Sequence, residues 1–228
     1  MLGNYVKREG AKPSPDLVFG LFCYVLLHNI RDGIYILTKK QEVSMFSLNG
    51  VTLRPLEFDD IDTLYAWDSD SELEMYAGWG PKRSRAAFRQ RYERRITEPE
   101  DDLYMFGIEV DKQLVGYVQL AMIDTHNRHA AIGILVGAKE VWGRGIGHTA
   151  LRILMDYAFT VRALERIYAE AYTFNTRSQR LFEGLGFQQE GILRQHEFQN
   201  GSLRDMYVFG ILKPEFYQRY ETIFRLPG

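Results

Sequence analysis

Hydrophobic and polar positions follow a regular order only from about residue 48 onward. VTLRPL (Val51 to Leu56) alternates as a strand does, and Asp59 then offers an N-cap for an amphipathic helix. The apolar face of that helix comprises Ile61, Leu64, Tyr65 and Trp67. A second helix is expected to begin at Pro81 and to carry a basic exposed face.

Strands dominate the middle of the chain. LYMFGIEV and LVGYVQLAMI are separated by DKQ, which predicts a β-hairpin, and HAAIGILVGA predicts the next strand. A helix follows, with apolar residues at spacings of three, four and seven: Ala150, Leu151, Ile153, Leu154, Tyr157, Ala158 and Val161. RIYAEAY predicts a strand, NTRSQRLFEGLGF a short helix ended by Gly184 or Gly186, and two last strands are joined through QNGS. This order predicts an α+β fold with a mixed sheet, antiparallel early and crossed over by a helix late.

The first 44 residues differ from the rest. LVFGLFCYVLLHNI (Leu17 to Ile30) is an apolar run of 14 residues, which resembles a signal-peptide core and is short for a membrane span. KKQEVSM, however, is compatible at the codon level with a ribosome-binding sequence just before Met45. We therefore expect residues 1–44 to be an extension outside the fold or a translated upstream region, and residues 45–228 to form one domain.

Composition narrows the classes of function. The chain has 228 residues, a net charge of -2 and a pI near 6.2, which disfavours a nucleic-acid surface because phosphate binding leaves a basic footprint. Its single cysteine, Cys23, cannot form an internal disulfide, and no Cys and His residues have metal-ligand spacing. We expect a cytoplasmic enzyme without a metal, a membrane partner or a nucleic-acid partner, and we leave a homodimer open.

Three glycines stand immediately before the best-formed helix, in EVWGRGIGHTALRILMDYAF. Gly143, Gly145 and Gly147 allow the backbone N–H groups to point inward as a nest, where side chains would block a ligand. The following helix N-terminus adds free N–H donors and partial positive charge. Together these features predict a pyrophosphate cradle, although a tight connection is the plainer interpretation. The stretch is neither G-x-G-x-x-G nor a P-loop.

Two motifs in register resemble the GNAT superfamily of acyl-CoA-dependent N-acyltransferases: W-G-R-G-I-G, and N-x-x-S-x-x-L-F-E-G-L-G-F from Asn175 to Phe187. The later segment LRQHEFQNGSLRDMYVFGIL is similar to the ribosomal-protein N-terminal acetyltransferases and the spermidine N-acetyltransferases. The resemblance implies a central, mostly antiparallel, twisted sheet of about seven strands with flanking helices, splayed at the acyl-CoA site. It also implies acetyl-CoA as co-substrate.

The same resemblance assigns cofactor contacts. The backbone of Leu135 and Val136 should pair with the pantetheine arm. The pyrophosphate should be held by the turn residues Trp142, Gly143, Arg144, Gly145, Ile146, Gly147 and His148. Asn175 should bind the arm near the thioester, or serve as a helix N-cap, or both. Phe182 should lie beside the thioester, with simple core packing as the alternative.

Two side chains of the family pattern are missing here. Phe182 stands where many relatives have a tyrosine that protonates the thiolate, and Ala130-Ala131-Ile132-Gly133 lacks a glutamate that subfamily members carry. Backbone donors of residues 132–136 can still polarise the thioester carbonyl. Catalytic candidates for proton transfer are Glu109, His129 and His196, with His126 and Glu197 as further possibilities.

The acceptor is the least defined part. WDSDSELEMY places Asp68, Asp70 and Glu72 between the first two helices, where an acidic rim would suit a cationic amine, although a solvated charged surface is the plainer interpretation. The expected function is transfer of an acetyl group, by direct attack in a ternary complex, to a primary amine: a small amine such as a polyamine, or a protein N-terminus. The alternative is an acyl-CoA-binding module that has lost catalysis.

Overall fold

The computed structural model describes residues 46–78, 82–98 and 100–224, so the predicted N-terminal extension lies outside the described residues. The strands are β1 (Phe46–Leu48), β2 (Val51–Pro55), β3 (Leu103–Val110), β4 (Gln113–Asp124), β5 (His129–Val136), β6 (Arg166–Tyr172), β7 (Gln188–Gln199) and β8 (Ser202–Leu212). The helices are α1 (Ile61–Asp68), α2 (Ser71–Ala77), α3 (Arg85–Thr97), α4 (Ile146–Asp156), α5 (Thr176–Leu185) and α6 (Lys213–Arg219).

The strands form one sheet in the order β1-β2-β3-β4-β5-β6-β8-β7, and every neighbouring pair is antiparallel except β5 and β6. Those two strands are parallel and pair only at His129–Ala131 with Arg166–Tyr168. Beyond that point they separate, which confirms the expected mixed sheet with a splay in its middle.

Helices cover both faces of the sheet. Alternate residues of β3 and β4 face different layers: Phe106 and Val118 pack in the core with α4, whereas Met105 and Tyr117 pack with α1 and α3. This alternation follows from the two-residue period of a strand. The sheet therefore holds α4 and its preceding turn rigidly on one side, with α1 and α3 on the other.

Short elements account for most differences from the predicted order. The described part of the chain has eight strands rather than about seven, because β1 folds back on β2 through a turn at Asn49 and Gly50. Helix α2 was not predicted, although Asp70 caps it, and α6 was also missed. Helix α3 begins at Arg85 after the N-cap Ser84, not at Pro81.

Two helix ends are informative. Gly186 is the left-handed C-cap of α5, with φ of 98°, so the helix ends there and not at Gly184. At the end of α4 a π-helical turn, Tyr157–Val161, shifts the helical phase, and Val161 is exposed rather than part of the apolar face. This corrects the predicted face at its last position only.

A buried carboxylate fastens the C-terminal segment to α4. Asp156 is 1% exposed and accepts hydrogen bonds from the Tyr217 hydroxyl at 2.8 Å, the Thr222 hydroxyl at 3.1 Å and the Ile223 backbone N–H at 2.6 Å. The Thr160 hydroxyl also donates to it at 2.9 Å. Because a buried charge is tolerated only when hydrogen-bonded, this cluster fixes the chain beyond α6.

None of the described helices is long and apolar enough to span a membrane.

Candidate active site

A cleft of about 240 Å³ opens beside the end of β5. Its floor is the strand Ile134–Val136, one side is the turn from Trp142 to His148, and the other is the start of α5 at Asn175. Leu73, Tyr76 and Ala77 of α2 form the remaining wall. The structure thus brings together most of the residues predicted to bind coenzyme A.

The glycine turn has the geometry of an open cradle at two of its three positions. Gly143 and Gly145 have φ of 76° and 78°, and a Cβ at either position would have nothing within 4 Å. The left-handed backbone excludes most side chains, and the open space leaves room for a ligand. Gly147 differs, because its Cβ would lie 3.4–3.7 Å from Ile134, Leu181 and Val136. These are ordinary van der Waals distances, so the packing of α4 on β5 at this position does not require glycine.

Trp142 is a fixed platform at the entrance to this turn. Its indole N–H donates to the Val136 carbonyl at 2.8 Å, and the Arg177 guanidinium lies 4.0 Å from its ring centroid. His148, two residues into α4, faces the Tyr220 hydroxyl at 3.3 Å. Arg144 and Ile146 complete the turn; of the two, only Ile146 lines the cleft.

Asn175 was predicted to be a helix N-cap, a ligand of the cofactor arm, or both, and the structure shows the first of these roles. Its side-chain oxygen accepts from the Ser178 backbone N–H at 3.1 Å, so it is the N-cap of α5, and the residue is 5% exposed. It also lines the cleft, which leaves the predicted contact with the cofactor arm geometrically available.

A second cleft continues from the first where β5 and β6 separate. The second cleft adds Gly133, Phe182, Glu170, Tyr172 and Glu197 among its lining residues. The two clefts share six lining residues: Tyr76, Ala77, Ile134, Leu135, Asn175 and Ser178. Phe182 is 3% exposed and packs on Phe187 and Phe209, at ring-centroid distances of 5.3 and 5.6 Å. Its ring therefore belongs to the core and to the cleft wall at once.

Tyr172 and Glu197 form a hydrogen-bonded pair in this second cleft, with the tyrosine hydroxyl donating to the carboxylate. Burial, and then the hydrogen bond to Glu197, raise the pKa of Tyr172. Gly78 makes room for the pair: a Cβ there would lie 3.0 Å from the Tyr172 hydroxyl. From the sequence, Glu197 was only a further possibility as a catalytic residue, and Tyr172 was missed. The sequence offers one clue to Tyr172: it is a tyrosine at the end of a predicted strand.

The three main catalytic candidates lie elsewhere. Glu109 accepts a hydrogen bond from Arg54 at 2.7 Å on β3. His129 starts β5 at 3.9 Å from Asp124, and His196 lies on a bulged part of β7 at 4.0 Å from Glu170. None of the three lines either cleft, and His126 lies in the exposed turn before β5.

Two of the three acids predicted to form a rim for a cationic amine are already paired with a lysine. Lys139 pairs with Asp70 at 2.8 Å and with Glu72 at 2.7 Å, and its hydrogen bond lowers the pKa of Asp70. Asp68 lines an adjoining recess with Glu74 and Lys82, and this recess shares Ala77, Tyr117 and Leu135 with the second cleft. In the second cleft, by contrast, the charged side chains that line it within the described residues are Glu170 and Glu197, both acidic.

The splayed sheet, with an open glycine turn at a helix N-terminus beside the splay, defines an acyl-CoA-dependent N-acyltransferase. A family model described as an acetyltransferase (GNAT) domain matches residues 51–188, and the chain belongs to this family.

Among its relatives, an uncharacterised N-acetyltransferase, p20, of Bacillus licheniformis is 34% identical over 73% of this chain and 94% of its own length. A putative ribosomal N-acetyltransferase, YdaF, of Bacillus subtilis is 36% identical over 48% of this chain and 60% of its own. The crystal structure of a spermidine N-acetyltransferase from Vibrio cholerae in complex with CoA and spermine has a TM-score of 0.69 at 28% identity, covering 74% of this chain and 98% of the other.

Proposed function

We propose that the protein transfers an acetyl group from acetyl-CoA to a primary amine by direct attack in a ternary complex. The observation that carries this proposal is the continuity of the two clefts: the glycine-turn cleft opens into an acidic cleft at the point where β5 leaves β6. A cofactor in the first cleft would present its acyl end to an amine in the second.

The residues of the first cleft fit coenzyme A. The open positions at Gly143 and Gly145 leave backbone N–H groups and the α4 N-terminus available to a pyrophosphate. Strand β5 beyond Ala131 has no partner in β6, so backbone groups on that edge can bond the pantetheine arm and polarise the thioester carbonyl. Acetyl-CoA supplies the activated thioester.

Proton transfer falls to the Tyr172–Glu197 pair in this proposal. Glu197 takes a proton from the bound ammonium and passes it to solvent, which leaves a neutral amine to attack the thioester carbonyl. As the C–N bond forms and the C–S bond breaks, the nitrogen gives its second proton to Glu197, and water or a neighbouring polar group protonates the departing thiolate. Tyr172 positions the carboxylate through its hydrogen bond. The tyrosine hydroxyl is neutral at neutral pH, and the raised pKa of Tyr172 keeps it a hydrogen-bond donor at higher pH as well. Phe182 supports the site by packing alone.

An amine acceptor suits the charge of the second cleft. Glu170 and Glu197 attract a protonated amine, and no Lys or Arg among the described residues lines that cleft to repel it. A small amine such as a polyamine is favoured by the relative solved with CoA and spermine. A protein N-terminus is the second candidate, because one relative is named a putative ribosomal N-acetyltransferase.

A panel of amines with acetyl-CoA, followed by release of free thiol, tests this function. We expect turnover with at least one polyamine or N-terminal peptide, and Glu197→Gln should lower kcat/KM at least about 100-fold, the lower end of general acid–base effects. Glu183→Gln, on the exposed side of α5, is the matched control and should be unchanged. Binding of acetyl-CoA without thiol release from any amine would instead support the acyl-CoA-binding module.

A further inference from the structure

Arg177 is an exposed, positively charged residue that lines the cofactor cleft. Arg177, the second residue of α5, places its guanidinium carbon 4.0 Å from the Trp142 ring centroid and 5.7 Å from that of Tyr76. Trp142 cannot turn away easily, because its indole N–H is bonded to the Val136 carbonyl. The guanidinium therefore rests on a fixed aromatic surface at the entrance to the glycine turn.

Among the residues that the structure describes, no acid balances the charge of Arg177. Within the described parts of the chain, no Asp or Glu lines this cleft, and no carboxylate forms an ion pair with Arg177. The other cation near Trp142 behaves differently: Lys139 lies 6.0 Å from the ring centroid but is paired with both Asp70 and Glu72. Lys139 thus has a structural partner, whereas Arg177 has an aromatic platform and an open cleft.

We propose that Arg177 binds a phosphoryl group of coenzyme A and so sets the affinity and the phosphate specificity of the cofactor site. This rests on the proposed function. A guanidinium is weakly hydrated, stacks on indole and recognises phosphate through two parallel N–H donors. Stacking on Trp142 limits its rotamers before the ligand arrives, which lowers the entropy cost of binding. Coenzyme A offers two such groups, the pyrophosphate and the 3′-phosphate.

The test uses the full-length protein and isothermal titration with CoA and with 3′-dephospho-CoA, at low and high NaCl. Arg177→Met keeps an apolar stem on Trp142 without the charge, and Arg177→Lys keeps a charge without the planar donors. Arg180→Ala, on the exposed part of the same helix and not lining the cleft, is the control. We expect Arg177→Met to weaken CoA binding about tenfold, with Arg177→Lys between it and the original protein.

The salt dependence of CoA affinity tests whether the charge of Arg177 contributes to binding. Affinity of the unmodified protein should fall more steeply with NaCl than that of Arg177→Met, because one screened ion pair is missing in the variant. Equal losses for CoA and 3′-dephospho-CoA would place Arg177 on the pyrophosphate, and a loss for CoA alone would place it on the 3′-phosphate.

Two results would overturn the proposal: unchanged CoA affinity in Arg177→Met, or equal losses in Arg177→Met and Arg177→Lys with an unaltered salt slope, which would mean that the residue acts by packing. If the unmodified protein failed to bind CoA at all, the proposed function would be lost instead, so the two failures are distinguishable.

Discussion

Phe182 should contribute to the reaction through packing and not through proton transfer. The chain keeps the aromatic ring at this position but has no hydroxyl to ionise, and the structure places the ring in the wall of the second cleft. We predict that Phe182→Tyr leaves turnover equal or faster, since the new hydroxyl would add a proton donor beside the acyl end. Phe182→Leu should weaken binding of CoA modestly.

The loss of stability expected in Phe182→Leu follows from the contacts of the phenylalanine ring. Phe182 is 3% exposed and meets two other rings, Phe187 at 5.3 Å and Phe209 at 5.6 Å. Aromatic pairs contribute about 0.5–1.5 kcal/mol each beyond area burial. Replacing the ring by leucine loses both pairs but keeps most of the volume. The free energy of unfolding should therefore fall by about 1–3 kcal/mol, which lowers Tm by roughly 2–12 °C in a domain of this size.

The assay combines thermal melting with thiol release at saturating amine across pH 6 to 10. In the original protein, the rate should rise as amine or base loses its proton and show no falling limb from a tyrosine at this position near its ordinary pKa of ~10. Loss of turnover in Phe182→Tyr with intact CoA affinity would refute this reasoning, because the ring face would then have to bind the acceptor.

Three further predictions concern stability. Asp156→Ala removes the acceptor shared by Tyr217, Thr222 and Ile223, so the free energy of unfolding measured in urea should fall by about 2–4 kcal/mol. A decrease of less than about 1 kcal/mol would contradict the idea that these hydrogen bonds fasten the C-terminal segment to α4. A chain that starts at Met45 should melt within a few degrees of the full chain, and an insoluble product would count against this. Burial raises the pKa of Tyr117. In the unfolded chain the Tyr117 hydroxyl loses its proton at a lower pH than in the folded protein, so the free energy of unfolding should decrease above about pH 10. The decrease should be smaller in Tyr117→Phe, which has no hydroxyl to ionise.

Local signals made much of the fold predictable. The hairpin β3–β4 combines two alternating runs with a turn at Asp111 and Lys112, both with positive φ, and its register is set by those few residues. The glycine turn and α4 were equally readable, because conformational freedom and helical spacing are written in consecutive residues. Strand β1 has only three residues, and the seven residues of α2 make about two helical turns, so neither is long enough for its periodicity to show.

The chemistry of the second cleft could not be predicted, because it joins distant parts of the chain. Tyr172 and Glu197 are 25 residues apart and meet only through the strand order β6-β8-β7. Likewise, Asp70 and Glu72 look like a free acidic rim until the fold brings Lys139 against them across 69 and 67 residues. Burial and ion pairing decide which acids are available, and both are properties of the tertiary structure.

The central claim, that coenzyme A binds at the glycine turn, is tested most directly by calorimetric titration of CoA into Gly145→Asp. Gly50→Asp is the matched control, since both glycines have φ of 78° and nothing within 4 Å of the Cβ position, so both variants place an aspartate at the same positive φ in open space. A carboxylate facing the pyrophosphate should weaken CoA binding at least about 100-fold in Gly145→Asp and leave it unchanged in Gly50→Asp. Unchanged affinity in Gly145→Asp would contradict the account.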